Sequence, residues 1–341
     1  MNPPEPDIPA NPTVSVVLPV LDEEADISGL LEMLLGQQEP PGGFEVLVVD
    51  GGSRDRTREI VNAVGARDPR VRLLDNPAVR SSAGRNVGAW AARGEYVLFV
   101  DGHCGLPRPD HLQRLVEIFR ATGAACLCRP QPLLDLAGGA WGAAIAAARH
   151  SWLGHNPGSD IYRESPGVTD PRSAGAAYRR AVILELGGYD ERFDACEDVE
   201  FNHRVARAGL LAYRHPDLRL QYRPRTTLSG LYRQMRRYGR GRAHLLARHP
   251  GVIPWALVAL TLVVAAGVAT FVLAGPGIGS IVVGALALGY LTLCGIESLR
   301  LVGWRQEALR LARVFPVLHA GLLLGFWRGL LEFRRFRAER S

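Results

Sequence analysis

Apolar residues fall along this chain in two regimes. In the first half they form short uninterrupted runs, each stopped by an acid, a proline or a glycine, alternating with stretches of helical period. Val14–Val20 reads as a first strand, followed by Asp22-Glu23-Glu24, acids that favour the start of a helix. Ile27, Leu30, Leu31, Leu34 and Leu35 supply that helix with its apolar face. Phe44–Asp50 is a second strand running into Gly51-Gly52-Ser53, with a helix at 55–64 behind it. Residues 71–74 form a short third strand, and Ser81 or Ser82 caps a helix that runs to Ala92. Glu95-Tyr96-Val97-Leu98-Phe99-Val100 then leads straight into Asp101-Gly102-His103-Cys104. Unbroken apolar runs of this length are strands buried on both faces. Their alternation with helices predicts an α/β fold, a mostly parallel sheet covered on both sides.

Right-handed crossovers bring Pro19, Asp50, Asp75 and Asp101 to one sheet edge, the carboxyl end at which such sheets collect ligands. Asp101 and His103 lie two residues apart, and Gly102 lets a ligand approach the backbone. That arrangement suits a metal holding a diphosphate. A plain cap on the following turn, which Gly102 and Pro107 also permit, is the competing reading.

Further along, His111–Thr122 is predicted helical, 124–129 a strand, and the Ala/Gly-rich stretch 136–148 a helix with small packing residues. Residues 152–172 are polar and proline-punctuated, a loop long enough to carry function. Gly175-Ala176-Ala177-Tyr178-Arg179 leads into a helix, and Gly187-Gly188-Tyr189-Asp190-Glu191 turns the chain. Glu197 and Asp198 occupy the first turn of the next helix, where carboxylates are favoured for dipole reasons alone.

The second regime begins after Tyr222. Residues 228–249 form an amphipathic helix with Arg233, Arg236, Arg237, Arg240, Arg242 and Arg248 among Leu231, Tyr232, Met235, Tyr238 and Leu245. Such a helix lies on an anionic membrane face or lines a site for an anionic substrate. Within it, Gln234, Arg237 and Tyr238 follow a Gln-x-x-Arg-aromatic spacing. No Asp, Glu or Arg occurs between Arg248 and Glu297, and the chain contains no lysine. Residues 252–274 and 278–296 are each long enough to span, given the requirement of about 20 residues, with a Gly275-Pro276-Gly277 turn between them. Both outer flanks are arginine-rich, so the hairpin should leave them, and the domain before them, in the cytoplasm. The third apolar segment, 314–333, contains Pro316, His319 and Arg328 and precedes a basic tail. An interfacial or re-entrant segment is preferred there, because a third span would put that tail outside, and a third span stays open as the alternative.

With 341 residues the chain allows about two domains. The expected organisation is a disordered lead-in at 1–12, an α/β domain at 13–222, a basic interface segment at 223–250 and a membrane domain at 251–341. The net charge of +6 gathers beside the apolar region, which points to membrane lipids as partner and not to nucleic acid. The N-terminus lacks the apolar stretch of a signal peptide. Cys104, Cys126, Cys128, Cys196 and Cys294 suit neither a disulfide framework nor a zinc site.

Several motifs then occur in a telling order: Val17-Leu18-Pro19 with Glu23-Glu24, Val48-Val49-Asp50-Gly51-Gly52-Ser53-Arg54-Asp55, Arg85-Asn86-Val87-Gly88, and Gly94-Glu95-Tyr96 leading to Asp101. Gly187-Gly188-Tyr189-Asp190-Glu191 and Glu197-Asp198 complete the set. From about Thr13 to Arg242 the chain resembles the family 2 inverting glycosyltransferases of GT-A fold. Its membrane segments and Gln234-x-x-Arg237-Tyr238 resemble the branch that builds bacterial exopolysaccharides, closest to the succinoglycan type. The resemblance implies a hexosyl transfer from a nucleotide-sugar, a UDP-sugar, to a lipid-linked (polyprenyl-diphosphate) glycan acceptor at the inner membrane.

It also implies roles for residues. The donor nucleotide would lie against Pro19, Val20, Glu23, Asp50, Gly51, Arg80, Asn86, Asp101 and Gly102, with Gln234, Arg237 and Tyr238 closing on the diphosphate or the acceptor. Asp101, with His103, would hold Mn²⁺ or Mg²⁺, and Asp198, with Glu197 beside it, would be the general base. Where the family has Asp-x-Asp this chain has Asp101-Gly102-His103. An imidazole suits Mn²⁺ better than Mg²⁺, and a phosphate contact by His103 is the alternative. A nicotinamide or flavin enzyme is disfavoured, since Pro19-Val20-Leu21-Asp22-Glu23 cannot form the Gly-x-Gly-x-x-Gly turn. A non-catalytic sugar-nucleotide sensor and a processive polysaccharide synthase stay open at this point.

Overall fold

The computed structural model describes residues 11–102, 104–131, 139–155, 161–173, 175–222, 225–304 and 306–338. The chain divides into two compact units: Met1–Pro132 with Gly158–Tyr222, and Leu133–Pro157 with Arg223–Ser341. His103 lies outside the described residues.

In the first unit the chain runs β1 (Val14–Val20), α1 (Ile27–Leu35), β2 (Phe44–Asp50), α2 (Thr57–Gly65), β3 (Val71–Asp75), α3 (Ser81–Ala91) and β4 (Tyr96–Phe99). After β5 (Cys104–Gly105), α4 (His111–Thr122) and β6 (Cys126–Cys128), helix α5 (Gly139–His150) belongs to the second unit. The first unit resumes with β7 (Gly167–Val168), β8 (Gly175–Arg179), α6 (Arg180–Glu185), α7 (Glu197–Arg207), β9 (Ala212–Arg214) and β10 (Gln221–Tyr222).

The strands pair in the order β3-β2-β1-β4-β8-β6-β9-β7, with β10 and β5 forming a separate ribbon. From β3 to β4 every pairing is parallel. The other half is mixed, because β8 runs antiparallel to both β4 and β6. Strand β8 occupies Gly175–Arg179, a stretch to which the sequence pattern assigned no element of its own, and leads into α6 as expected. Its alanines and glycine carry little strand preference, so its place is imposed by its neighbours.

The continuous apolar runs are explained by the two cores. Val14, Val16 and Leu18 of β1 face one core with Leu31 and Phe119, while Val17 faces the other with Phe99, Ile183 and Phe201. Alternate side chains of a strand point to opposite faces, so a strand covered on both sides must be apolar throughout. Helix α3 lies unusually close to β1: a Cβ at Gly88 would come within 2.2 Å of Val17 Cγ1. None of the five cysteines forms a disulfide, and all five are buried.

The second unit holds α5, α8 (Leu228–Arg248), α9 (Trp255–Leu273), α10 (Gly275–Val302), α11 (Gln306–Leu331) and α12 (Phe333–Ala338). Among the described residues α9, α10 and α11 are long and apolar enough to cross a membrane. Helices α9 and α10 leave Leu262, Val272, Leu273, Ile281 and Leu288 exposed, the surface expected of a helix facing lipid. Helix α11 is continuous through Pro316, and 44% of its most apolar window is buried, against 11% in α9 and α10. It packs along α8 through glycines: a Cβ at Gly325 would lie 2.1 Å from Arg236 O, and one at Gly239 2.0 Å from Leu322 O.

Candidate active site

The register of the parallel strands sets the site. Val20, Asp50 and Asp75 are paired neighbours at the ends of β1, β2 and β3. Val100 N–H still donates to Val17 O at 3.0 Å, so Asp101 emerges at the same edge. The four strand ends therefore converge as the crossover argument requires.

At the first end, Val20 O accepts from Gly51 N at 2.9 Å. The loops after β1 and β2 are laced together: Asp22 N donates to Ser53 Oγ, Glu23 N to Thr57 Oγ1 and Arg54 N to Asp22 Oδ1. Asp50 is enclosed. Its carboxylate accepts from Gly52 N, Ser53 N and Ser53 Oγ, and from Arg58 Nη1 at 2.7 Å, while the same Nη1 also reaches Asp75 at 2.8 Å. Burial alone would raise the Asp50 pKa, but hydrogen bonds from Ser53, Arg58 and Gly52 outweigh it and hold the group below the usual carboxylate range. Pro19 is half-buried at the mouth of this corner.

Helix α3 supplies the next layer. The Asn86 amide is occupied by the turn that precedes α7, donating to Tyr189 O and Glu191 Oε1 and accepting from Tyr189 N at 2.7 Å. Arg80 is exposed and donates to Glu191 O at 3.0 Å. Both side chains expected at the nucleotide thus also brace the 187–191 turn.

Asp101 is one-third exposed and accepts from Arg85 Nη2 at 2.8 Å. A Cβ on Gly102 would come within 3.0 Å of the Glu23 side chain, so Glu23, Asp101 and Gly102 are brought together. Arg85 also lies 3.7 Å, through Nε, from Glu197 Oε1. It is sandwiched, with its guanidinium carbon 5.5 Å from the Phe99 ring centroid and 5.8 Å from that of Tyr189. Burial would lower its pKa, yet the charges of Asp101 and Glu197 more than compensate and raise it. The sequence motif Arg85-Asn86-Val87-Gly88 by itself gives Arg85 no role. The usable signal was an arginine on the face of α3 that also carries Ser82 and Ala89, since a buried guanidinium demands an acid.

Helix α7 begins at Cys196, whose φ of +65° is rarely adopted by a residue with a side chain. Glu197 and Asp198 fill its first turn and behave differently. Glu197 is nearly buried, and burial together with the charge of Asp198 pushes its pKa up to about 7 in spite of Arg85. Asp198 is exposed, and its Oδ1 accepts from Val199 N at 2.8 Å.

Among the described residues no group of three or more His, Cys, Asp or Glu side chains is gathered to hold a metal. The donor set is the Asp101 carboxylate. It fits a hard divalent cation that takes its remaining ligands from substrate phosphates, since such ions are commonly held by one or two carboxylates plus a diphosphate.

Gln234, Arg237 and Tyr238 are described within the second unit. They share one stretch of α8, with Gln234 Nε2 3.4 Å from Tyr238 OH and with Arg237 and Tyr238 exposed. In the same unit the stretch after α5 is held by two polar links. Trp152 Nε1 donates to the buried Glu297 at 2.7 Å. His319 lies between Leu153 O at 2.9 Å and Tyr290 OH at 2.7 Å. A carbonyl only accepts, so Nε2 carries the proton and Nδ1 accepts from Tyr290.

Residues 15–187 match the family model described as glycosyl transferase family 2. The succinoglycan biosynthesis protein ExoA of Rhizobium meliloti (strain 1021) is 33% identical over 94% of this chain and 96% of its own length. The glycosyltransferase AglE of Haloferax volcanii is 29% identical over 58% of this chain and 62% of its own. Among solved structures, the mannosyltransferase PcManGT of Pyrobaculum calidifontis, in complex with GDP-Man and Mn²⁺, matches with a TM-score of 0.63 and 18% identity. It aligns over 96% of this chain and 89% of that one. With the ordered motifs placed on this sheet edge, the chain belongs to glycosyl transferase family 2 and is a glycosyltransferase with a GT-A-like α/β core followed by apolar C-terminal helices.

Proposed function

We propose that the protein is an inverting hexosyltransferase that moves a sugar from a UDP-sugar to a lipid-linked glycan during exopolysaccharide or cell-envelope polysaccharide synthesis. It works at the cytoplasmic face of the inner membrane. The observation that carries the proposal is the convergence of Asp101 and Glu197 on Arg85 beside the ends of the parallel strands, with Asp198 next to Glu197 in the first turn of α7. The full-length similarity to a succinoglycan biosynthesis protein supports the polysaccharide context.

In this reading the nucleotide lies over the β1 and β2 ends, against Pro19, Val20, Gly51 and the Asp50 corner, with Arg80 near it. Asp101 holds a divalent cation, Mn²⁺ or Mg²⁺, which when bound supplies Lewis-acid neutralisation of the departing nucleoside diphosphate. His103 is its second proposed ligand. Asp198, exposed at the start of α7, takes the proton from the acceptor hydroxyl, and attack by a single acceptor inverts the anomeric centre. Gln234, Arg237 and Tyr238 of α8 are assigned a role toward the diphosphate or the polyprenyl-diphosphate acceptor, because an arginine fork matches phosphate oxygens.

A second reading makes Glu197 the base, because a pKa near 7 is what a base working near neutrality needs. The test is a donor panel with a native lipid extract as acceptor, following nucleoside diphosphate release and the anomeric configuration of the product. One nucleotide-sugar should give stoichiometric release and an inverted linkage. Retention of configuration would refute the mechanism.

A further inference from the structure

The Arg85 guanidinium is doubly committed. Its side chain is only 10% exposed, stacked between Phe99 and Tyr189. Nη2 bonds Asp101 at 2.8 Å, whereas Nε stands 3.7 Å from Glu197, too far for a hydrogen bond, and has no other hydrogen-bond partner. A buried guanidinium N–H left in this state costs free energy, so a better bond to Glu197 is available if the side chain shifts. Asp101 is 34% exposed, and Arg85 bonds its Oδ1. A cation arriving at Asp101 meets a fixed positive charge already on that carboxylate.

We propose that Arg85 is a positioning residue that competes with the incoming divalent cation for Asp101 and, released from it, closes onto Glu197. This rests on the reading of Asp101 as the metal carboxylate. Two consequences follow from charge alone. The cation binds weakly by itself and well only with the nucleoside diphosphate, whose negative charge offsets Arg85. Loading that end of the site then tightens the first turn of α7, which carries the acceptor-side carboxylates.

The test is Mn²⁺ binding, read from the electron paramagnetic resonance signal of free Mn²⁺. The full-length protein is placed in zwitterionic nanodiscs, with and without UDP. Without UDP, Arg85→Gln should bind Mn²⁺ about tenfold more tightly than the wild type, while Arg85→Lys, which keeps the charge, stays within about threefold. Asp101→Asn should abolish binding in every background, locating the ion. Glu197→Gln, which removes the carboxylate that receives Arg85, should weaken Mn²⁺ binding in the presence of UDP by about threefold or more. The inference is overturned if a folded Arg85→Gln binds Mn²⁺ no more tightly than wild type. It is also overturned if Glu197→Gln leaves Mn²⁺–UDP binding unchanged. If the wild type binds no Mn²⁺ even with UDP, the metal assignment itself fails, an outcome distinct from either.

Discussion

Glu197→Gln offers a direct view of the site's electrostatics. Glu197 is nearly buried beside Arg85, with its pKa pushed up to about 7 from an ordinary 4.5 by burial and by Asp198. A carboxyl whose folded pKa is raised is protonated in the folded state at pH values where the unfolded chain is already ionised. Its stabilising contribution is therefore full below about pH 4.5, falls as pH rises, and is gone above about pH 7. The difference amounts to ~3 kcal/mol at 1.36 kcal/mol per pKa unit. Glutamine imitates the protonated form at every pH. The variant should thus match the wild type near pH 4.5 and exceed it in apparent Tm by a few degrees at pH 8.5. Melts of both full-length proteins at several pH values in the same detergent would show this. An advantage that stays flat with pH, or that shrinks as pH rises, would refute the account of Glu197.

Other expectations concern the second unit. Gly325→Leu, where a Cβ would already press within 2.1 Å of Arg236 O, should overpack the α8–α11 contact and cost ~1–3 kcal/mol or more. Gly289→Leu on α10, with open space at its Cβ position, should leave the melt unchanged. Trp152→Phe removes a donor from the buried Glu297 and should destabilise by ~1–3 kcal/mol, visible as a lower Tm.

The central strands of the parallel half, β1, β2 and β4, were legible because they are buried on both faces. Local composition there carries the whole signal, and β1, β2 and α4 occupy the residues expected. Strand β8 was not legible. Gly175 is small because Asn202 packs against it, a Cβ there falling 2.4 Å from Asn202 Oδ1, and the pairing partners of the strand are distant in sequence. For the site, Asp50, Asp101, Glu197 and Asp198 were found as acids at strand or helix ends, but their states were not. Asp50 is enclosed by Ser53 and Arg58, and Glu197, not Asp198, is the buried member of its pair. Arg85 escaped because its two acids lie 16 and 112 residues away, so no local spacing ties them. The glycines of α11 drew no reading from the sequence, yet Gly321, Gly325 and Gly329 admit the backbone or side chains of α8.

The central claim, a transferase whose base stands at the start of α7, is tested most directly with Asp198→Asn. Sugar transfer from the preferred nucleotide-sugar into a native lipid extract should fall by about 10²–10⁴-fold, while the variant still binds UDP like the wild type. Unchanged turnover would contradict the assignment of Asp198. A wild-type protein that binds UDP but transfers no sugar to any lipid-linked acceptor would contradict the enzyme reading and favour a sugar-nucleotide sensor.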